Sequence, residues 1–478
     1  MMSEDWIILG IAVAGFFYVS GIVLAVDAVM TVRTSQGSIA WTVSLLTFPY
    51  VAVPLYWVFG RSKYYGYIDA RRTENKDMQP IIDRVVPALP EFIAHLEEEH
   101  MSFRAMEELA AMPFTRYNDV ELLVDGEQTF AAIFEGIESA REYVLAQFYI
   151  IKNDALGREF QAALMKKARS GVRVYLLYDE IGCIRLPGSY LKELKNAGVD
   201  VSPFNTTKGI RNRFQINFRN HRKAVIVDGC AAYTGGLNVG DEYMGRSPAF
   251  GSWRDTHICV RGPAVQAVQF AFIEDWYWAT HRVPELSWTP RRSDGGDKNV
   301  LVIPSGPADD LETCGLFFVH AIHSAKRRVW IASPYFVPDP KVVAALQIAA
   351  LRGVDVRILL PEKADHVLVW LSSFSYSSET KPYGVKLFRY QPGFLHQKVM
   401  LVDDDVAAVG TANLDNRSFR LNFEITLVIA DGEFAARVKR MFERDFASSR
   451  MVAQGELDAQ PIWFKFGVGV ARLLAPIQ

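Results

Sequence analysis

The sequence predicts an α/β protein: two tandem copies of one mixed-sheet domain flanked by helices, related by a pseudo-twofold axis and preceded by a transmembrane helical hairpin. Three observations predict it. Two long uncharged runs open the chain. Four sequence blocks then occur twice in the same order. Within each copy, short apolar strands alternate with helical segments, the pattern of a largely buried sheet covered on both faces. With 478 residues the chain has room for two or three domains. Its 50% apolar and 22% charged residues supply sizeable cores and exclude a disordered chain.

The hairpin comes first, over residues 1–72. Trp6 to Val26 is a run of 21 residues without charge. As a helix it reaches roughly 30 Å, the thickness of a hydrocarbon core. The leader MMSEDW is acidic and the run is longer than the apolar part of a signal peptide, so a cleaved leader fits poorly. A second uncharged run extends from Ser38 to Gly60 and holds Pro49 and Pro54, which membrane helices tolerate better than soluble ones. The link between the runs carries Asp27 and Arg33, whereas Arg61, Lys63, Arg71, Arg72 and Lys76 follow the second. The positive-inside bias then places the N-terminus and everything after residue 60 in the cytoplasm, on a multi-pass protein. Tyr56, Trp57, Tyr64, Tyr65 and Tyr67 suit the headgroup level.

Residues 73–114 read as linker helices, with modest helical periodicity around His95 to His100. The repeat follows, as residues 115–290 and 291–478. REYVLAQFYI (141–150) matches RRVWIASPYF (327–336), and GVRVYLLYDE (171–180) matches GVDVRILLPE (353–362). NAGVDVSPFN (196–205) matches YGVKLFRYQP (383–392), and HRKAVIVDGCAAYTGGLN (221–238) matches HQKVMLVDDDVAAVGTAN (396–413). Offsets of 186, 182, 187 and 175 residues put the differences in loops. This is one domain duplicated, not a solenoid of short units. The two halves are expected to pack face to face, with a site at their interface.

Charge and cysteine content narrow the function. Lys+Arg total 52 and Asp+Glu 54, so the net charge is −2, which excludes a globally basic nucleic-acid binder. Cys183, Cys230, Cys259 and Cys314 form no CxxC pair, so neither a zinc cage nor a disulfide scaffold is expected.

The chemistry sits in the repeated His-x-Lys-x-x-x-x-Asp pattern. His221, Lys223 and Asp228 form one copy; His396, Lys398 and Asp403 form the other. A lone histidine on a strand is more often a core residue than a catalyst; two at equivalent repeat positions are not. Strand alternation would put each His and Lys on one face. That pairing suits a phosphodiester. Two ammonium groups neutralise non-bridging oxygens, one neutral imidazole attacks phosphorus, and the other, protonated, donates to the leaving oxygen. Asn238 and Asn413, in the turns GGLN and GTAN, are candidate phosphate donors. A nucleophilic imidazole needs its second nitrogen held. Asp255 follows His221 by 34 residues and Glu424 follows His396 by 28, so these are the matched orienting carboxylates.

Paired motifs of this kind, with GGxN and GTxN turns and a following acid, resemble the phospholipase D superfamily. The N-terminal hairpin with FPYVAVPLYWVFGRSKY (48–64), the stretch YDEIG (178–182) and the terminal ARLLAPIQ (471–478) are similar to bacterial cardiolipin synthases of that type. The resemblance covers nearly the whole chain. It implies two tandem phospholipase D-like domains in a bacterial inner membrane and a two-step exchange through a phosphohistidine. It also implies that His221 attacks, that His396 acts as acid and then base, and that Lys223, Lys398, Asn238 and Asn413 bind phosphate. Asp228 and Asp403 belong to the signature and are expected to be structural. The second motif ends Asp403-Asp404-Asp405 where the first ends Asp228-Gly229, so a glycine-free turn is expected there. The implied reaction joins two phosphatidylglycerols into cardiolipin and releases glycerol, with no cofactor or metal. Anionic membrane lipids are the expected partners and nucleic acid is not; homodimerisation is left open. A hydrolytic phospholipase D, or transfer to another alcohol, is the rival with the same site.

Other features have plainer readings. His320 and His323 lack a third ligand and decorate a helix; His257 is expected to be structural. The basic stretch Lys208, Arg211, Arg213, Arg219 and Arg222 suits anionic headgroups. Trp276, Tyr277 and Trp278 belong to the core. The segment 462–478 mixes apolar residues with Lys465 and Arg472, and either lies in the membrane interface or docks on the catalytic body.

Overall fold

The structure, a computed structural model, describes residues 4–32, 34–60, 63, 64, 66–68, 71, 79, 81, 83, 86–94, 104–204, 217–363 and 365–478. Most of the expected linker, including His95 to His100, and the basic residues Lys208, Arg211 and Arg213 lie outside the described residues.

Helix α1 (Glu4–Thr31) has 28 residues and is long and apolar enough to cross a bilayer. The second uncharged run differs from the expected single helix. It is divided at Phe48, whose φ of −129° and ψ of 56° are not helical, into α2 (Ser35–Thr47) and α3 (Pro49–Phe59). Pro49 has no N–H to continue the ladder, and its ring keeps the preceding residue out of the helical region.

The catalytic body is built on one long sheet. Its first half contributes β1 (Thr115–Val124), β2 (Tyr143–Phe148), β3 (Arg173–Asp179), β4 (Asp200–Phe204), β5 (Ala224–Val227), β6 (Ala231–Gly235) and β7 (Thr256–Arg261). The second half contributes β8 (Lys298–Ser305), β9 (Arg328–Ala332), β10 (Asp355–Pro361), β11 (Lys386–Tyr390), β12 (Val399–Val402), β13 (Val406–Gly410) and β14 (Asn422–Ala430). From the centre outward the first half reads β1-β7-β6-β5-β2-β3-β4 and the second reads β8-β14-β13-β12-β9-β10-β11. The halves therefore meet edge to edge, through the antiparallel β1–β8 pair, rather than face to face. Val, Ile and Leu fill both faces of these strands, as burial under helices requires.

Helix α4 (Ala264–Thr280) is almost wholly buried, and Trp276, Tyr277 and Trp278 are core residues on it. In the second half, α5 (Val367–Thr380) carries the C-terminal helix α6 (Ile462–Leu473). The Phe464 ring packs at 5.2 Å from Phe374 and 6.0 Å from Trp370, and Arg472 pairs with Glu379 at 2.6 Å. The tail is thus docked, yet it leaves Ile462, Trp463, Phe466 and Leu473 exposed.

Two short parallel pairings decide how the site is assembled. Arg219 and Asn220 pair with Asn422 and Phe423, and the His221 N–H donates to the Phe423 carbonyl at 2.9 Å. In the other half, Phe394 and Leu395 pair with Trp253 and Arg254, and the His396 N–H donates to the Arg254 carbonyl at 2.8 Å. Each motif is therefore hydrogen-bonded to the other half's strand at the residue just before its acid.

Candidate active site

That register crosses the expected partners over. His221 Nδ1 lies 3.0 and 2.9 Å from the two oxygens of Glu424, and His396 Nδ1 lies 2.9 Å from Asp255 Oδ2. The acid that follows each histidine in sequence serves the other one. Sequence order names the two acids that lie beside the rings but pairs each with the other ring, because the pairing of residue 220 with 423 and of 254 with 395 exists only after the halves join.

All six groups are buried: His221, Lys223, Asp255, His396, Lys398 and Glu424. The histidines and lysines lie just ahead of β5 and β12 rather than within them. Lys223 Nζ donates to the His221 carbonyl at 2.6 Å, and Lys398 Nζ donates to the His396 carbonyl. Lys398 Nζ also stands 2.8 Å from His396 Nδ1. The charge of Lys398 reaches His221 and Lys223, and that of Glu424 reaches Lys398, so both motifs belong to one electrostatic site.

Burial governs the protonation states. It pushes His221 down to about 4, against the pull of Glu424 and with the help of Lys223 and Lys398. His396 is lowered by burial and by Lys398, against Asp255. Lys398 is pushed down to about 8 by burial, although Asp255 and Glu424 favour its charged form; Lys223 is also lowered by burial. Burial alone would raise Asp255 and Glu424. Lys398 and His396 outweigh it at Asp255, and His221 and Lys223 outweigh it at Glu424, so both acids fall below the usual range.

Around this centre the carboxylates are fixed by further donors. Glu424 accepts from Thr411 Oγ1 at 2.6 Å, Ser418 Oγ at 2.9 Å and Asn422 Nδ2 at 3.1 Å. Asp255 accepts from the Thr256 N–H at 2.8 Å and from Trp253 Nε1 at 3.4 Å. The Tyr149 ring packs edge-on to His221 at 5.0 Å, with Lys223 Nζ 5.5 Å from its centroid. Tyr335 Oη donates to Asp365 at 2.6 Å, and Asp365 acts electrostatically on His396 and Lys398. The sequence reading did not single out Tyr149 or Tyr335. Their signal was present: both occupy the same place in the first repeat block.

The motif aspartates stand apart from this cluster. Asp228 accepts the backbone N–H groups of Arg141, Glu142 and Tyr143 at 2.7–2.8 Å. Asp403 accepts those of Lys326, Arg327 and Arg328 at 2.7–3.3 Å. Both take positive φ, 51° and 52°, a conformation that Asp tolerates better than most residues. Each ties a motif turn to the start of β2 or β9. The second turn dispenses with glycine: Asp404 pairs with Arg327 and Arg328 instead.

Asn238 is engaged within the protein, accepting from the Ile150 N–H at 3.1 Å and donating to Tyr243 Oη at 3.2 Å. Asn413 Oδ1 is buried with no hydrogen-bond partner among the described residues. His257 is buried and accepts from the Leu237 N–H at 3.3 Å. Burial lowers its pKa to about 3, as befits a neutral structural ring. Arg222 departs from the headgroup reading: it is buried and pairs with Asp275 at 3.0 Å. Among the described residues no group of three or more His, Cys, Asp or Glu is placed to hold a metal ion.

Known proteins resemble this chain over nearly its whole length. Residues 133–275 and 318–446 match the family model described as cardiolipin synthase, PLD-like domain, and residues 21–61 match a phospholipase D-nuclease N-terminal model. The chain is 49% identical over 469 residues to cardiolipin synthase A of Pseudomonas entomophila (strain L48), covering 97% of each. It is equally 49% identical to cardiolipin synthase A of Pseudomonas syringae pv. syringae (strain B728a), covering 97% of this chain and 98% of the relative. A crystal structure of phosphatidylserine synthase from Haemophilus influenzae Rd KW20 shares the fold. Its TM-score is 0.59 at 14% identity, over 79% of this chain and all of that one.

Proposed function

The chain belongs to the phospholipase D-type cardiolipin synthases, and on that premise we propose that it transfers a phosphatidyl group from one phosphatidylglycerol to another through a phosphohistidine. The observation that carries the assignment of roles is the undivided contact of His221 Nδ1 with Glu424. With the Nδ1 proton held there, Nε2 keeps its lone pair, and the lowered pKa keeps the ring neutral. His221 Nε2 attacks phosphorus and the phosphorus–oxygen bond to the glycerol headgroup breaks. His396 protonates the departing oxygen, and glycerol leaves. His396, now neutral, takes the proton from a headgroup hydroxyl of the second phosphatidylglycerol. That oxygen attacks phosphorus, the P–N bond breaks, and cardiolipin is released with His221 restored.

Lys223 and Lys398 neutralise the non-bridging oxygens, and Asn413 adds a hydrogen bond. Asn238 acts by holding the loop after β2. Asp255 and Glu424 orient the rings across the junction, and Asp228 and Asp403 brace the turns. The equal strand order of the halves supports a pseudo-twofold relation between a unit of residues 115–290 and one of 291–478. The body works at the cytoplasmic surface of the inner membrane, where a poorly hydrated entrance favours a lipid alcohol over water.

Purified protein in phosphatidylglycerol vesicles, without nucleotide or added metal, should yield cardiolipin and free glycerol in equal amounts, read by lipid mass spectrometry and a glycerol assay. Phosphatidic acid as the sole product would make it a hydrolase instead.

A further inference from the structure

The contacts of the N-terminal helices do not fit two crossings of the membrane. Helix α2 starts beside the C-terminal end of α1, where Ser38 Oγ donates to the Ala28 carbonyl at 3.2 Å. It descends antiparallel to α1 as far as Gly21. A side chain at Gly21 would meet the Leu45 carbonyl at 2.5 Å and Pro49 Cβ at 3.2 Å, so glycine is needed for this approach. Just past the break, the Tyr50 ring lies 5.3 Å from Phe17 and 5.9 Å from Tyr18. The chain has then reached the middle of α1.

Six residues later it is back at the starting level. Tyr56 Oη donates to Asp27 Oδ2 at 2.8 Å, and the Tyr56 ring lies 5.1 Å from Trp41. Had α3 continued in the direction of α2, Tyr56 would stand roughly 24 Å along the axis from Asp27. No tyrosine side chain spans that distance. Helix α3 therefore reverses.

We propose that α2 and α3 form a re-entrant hairpin seated among the acyl chains of one leaflet, that α1 alone crosses, and that the N-terminus lies on the membrane face opposite the catalytic body. The proposal rests on the membrane-spanning reading of α1. Three further observations support it. Most of the tip's N–H groups are paired internally, which backbone at membrane depth needs: the Phe48 N–H donates to the Ser44 carbonyl, those of Val51 and Ala52 donate to the Phe48 carbonyl, and Pro49 has none to satisfy. The outward side chains Ile39, Val43, Leu46, Phe48, Val51 and Leu55 are exposed and apolar, which suits acyl chains. Charge also sorts better. Glu4 and Asp5 open α1 with no nearby Lys or Arg, whereas in sequence Arg33 follows α1 and Arg61 and Lys63 follow α3. Two crossings would strand Arg33 away from the rest.

The body follows α3 at once. The Tyr64 N–H donates to the Pro307 carbonyl at 3.2 Å, its ring lies 5.0 Å from Phe218, and Lys63 lies 3.8 Å from Asp310. The catalytic body thus lies on the membrane face from which the hairpin enters.

The protein carries its own reference for a test. Cys230 is exposed on the body, whereas Cys183, Cys259 and Cys314 are buried. Asp5 is exposed at the start of α1, and Gln36 is exposed in the first turn of α2, beside the other end of α1. Full-length protein is labelled with a membrane-impermeant maleimide in right-side-out and inside-out vesicles, as the unmodified chain and as Asp5→Cys and Gln36→Cys variants, each combined with Cys230→Ser. The expected pattern is labelling of Cys230 and of the Gln36→Cys variant from one face, and of the Asp5→Cys variant from the other. If the Asp5→Cys variant labels with Cys230 and the Gln36→Cys variant from the opposite face, there are two crossings and the proposal falls. If all three label from one face, α1 does not cross, and both the proposal and the spanning reading fall.

Discussion

The two copies of the motif differ most where they are most alike. Each histidine sits one residue beyond a short parallel pairing, each lysine donates to its histidine's carbonyl, and each aspartate gathers three backbone N–H groups. The rings nevertheless see different partners. Among the described residues, Nδ1 of His221 meets only Glu424, which three further side chains hold in place. Nδ1 of His396 meets Asp255 and Lys398 together. A ring nitrogen cannot donate to a carboxylate and accept from an ammonium at once. The His221 Nδ1 has one acceptor to serve, whereas the two neighbours of His396 Nδ1 ask opposite roles of it. A proton held on one side suits a nucleophile, and a ring placed between a carboxylate and an ammonium suits a group that must give and take a proton.

The hardest test of that contrast removes the rings. His221→Ala and His396→Ala should each lower kcat by about 10³-fold or more, since one loses the covalent step and the other the proton transfer. Only their intermediates should differ. Lipid carrying labelled phosphate should still mark the His396→Ala protein slowly and should leave the His221→Ala protein unmarked. The reverse pattern would exchange the two roles.

Removing charge from the carboxylates sharpens the comparison at smaller cost. Glu424→Gln should cost about 10³-fold in kcat, because the amide no longer fixes the Nδ1 proton. Asp255→Asn should cost about 10²-fold, because the amide oxygen can still accept from the Nδ1–H of protonated His396. Equal losses would mean that the two copies work alike.

Acidity separates the copies as well. His221 must be neutral, and burial has pushed it down to about 4, so kcat/KM should fall on the acid side only near that pH. His396 must be protonated; its pKa is lowered, so the alkaline decline begins below the ordinary histidine value. Lys398 must also be charged, and it loses its proton near 8, so the decline should steepen by about a further tenfold per pH unit above that point. A profile that does not steepen near pH 8 would remove Lys398 from the reaction.

Much of this was legible in the sequence for a physical reason. A duplicated domain repeats its local demands, so His221, Lys223 and Asp228 announce His396, Lys398 and Asp403, and Tyr149 announces Tyr335 for a reader who follows the same block. What could not be read depends on how distant segments meet. The exchange of Asp255 and Glu424 follows from strand register between the halves. The edge-to-edge junction follows from β1 pairing with β8. The reversal at Phe48 was hidden because hydropathy measures composition and not direction; only Pro49 hinted at it.

The smallest expected effect on catalysis belongs to the most conspicuous acids. Asp228 and Asp403 touch neither imidazole; they hold the turns after β5 and β12 against the strands beside them. Replacing either with alanine leaves backbone N–H groups without an acceptor and puts a residue that disfavours positive φ in the left-handed region. Asp403 is buried and Asp228 is half-buried, so the second copy should suffer more: about 3 kcal/mol for Asp403→Ala against about 2 kcal/mol for Asp228→Ala. Asparagine at either place keeps one acceptor and tolerates the backbone, so it should recover part of the loss. Thermal unfolding in nanodiscs reads these differences, and kcat per folded molecule should stay within about threefold of the unmodified chain. A Asp403→Asn variant that folds normally but has lost cardiolipin formation would place this aspartate in the chemistry and end the division between bracing and reacting groups.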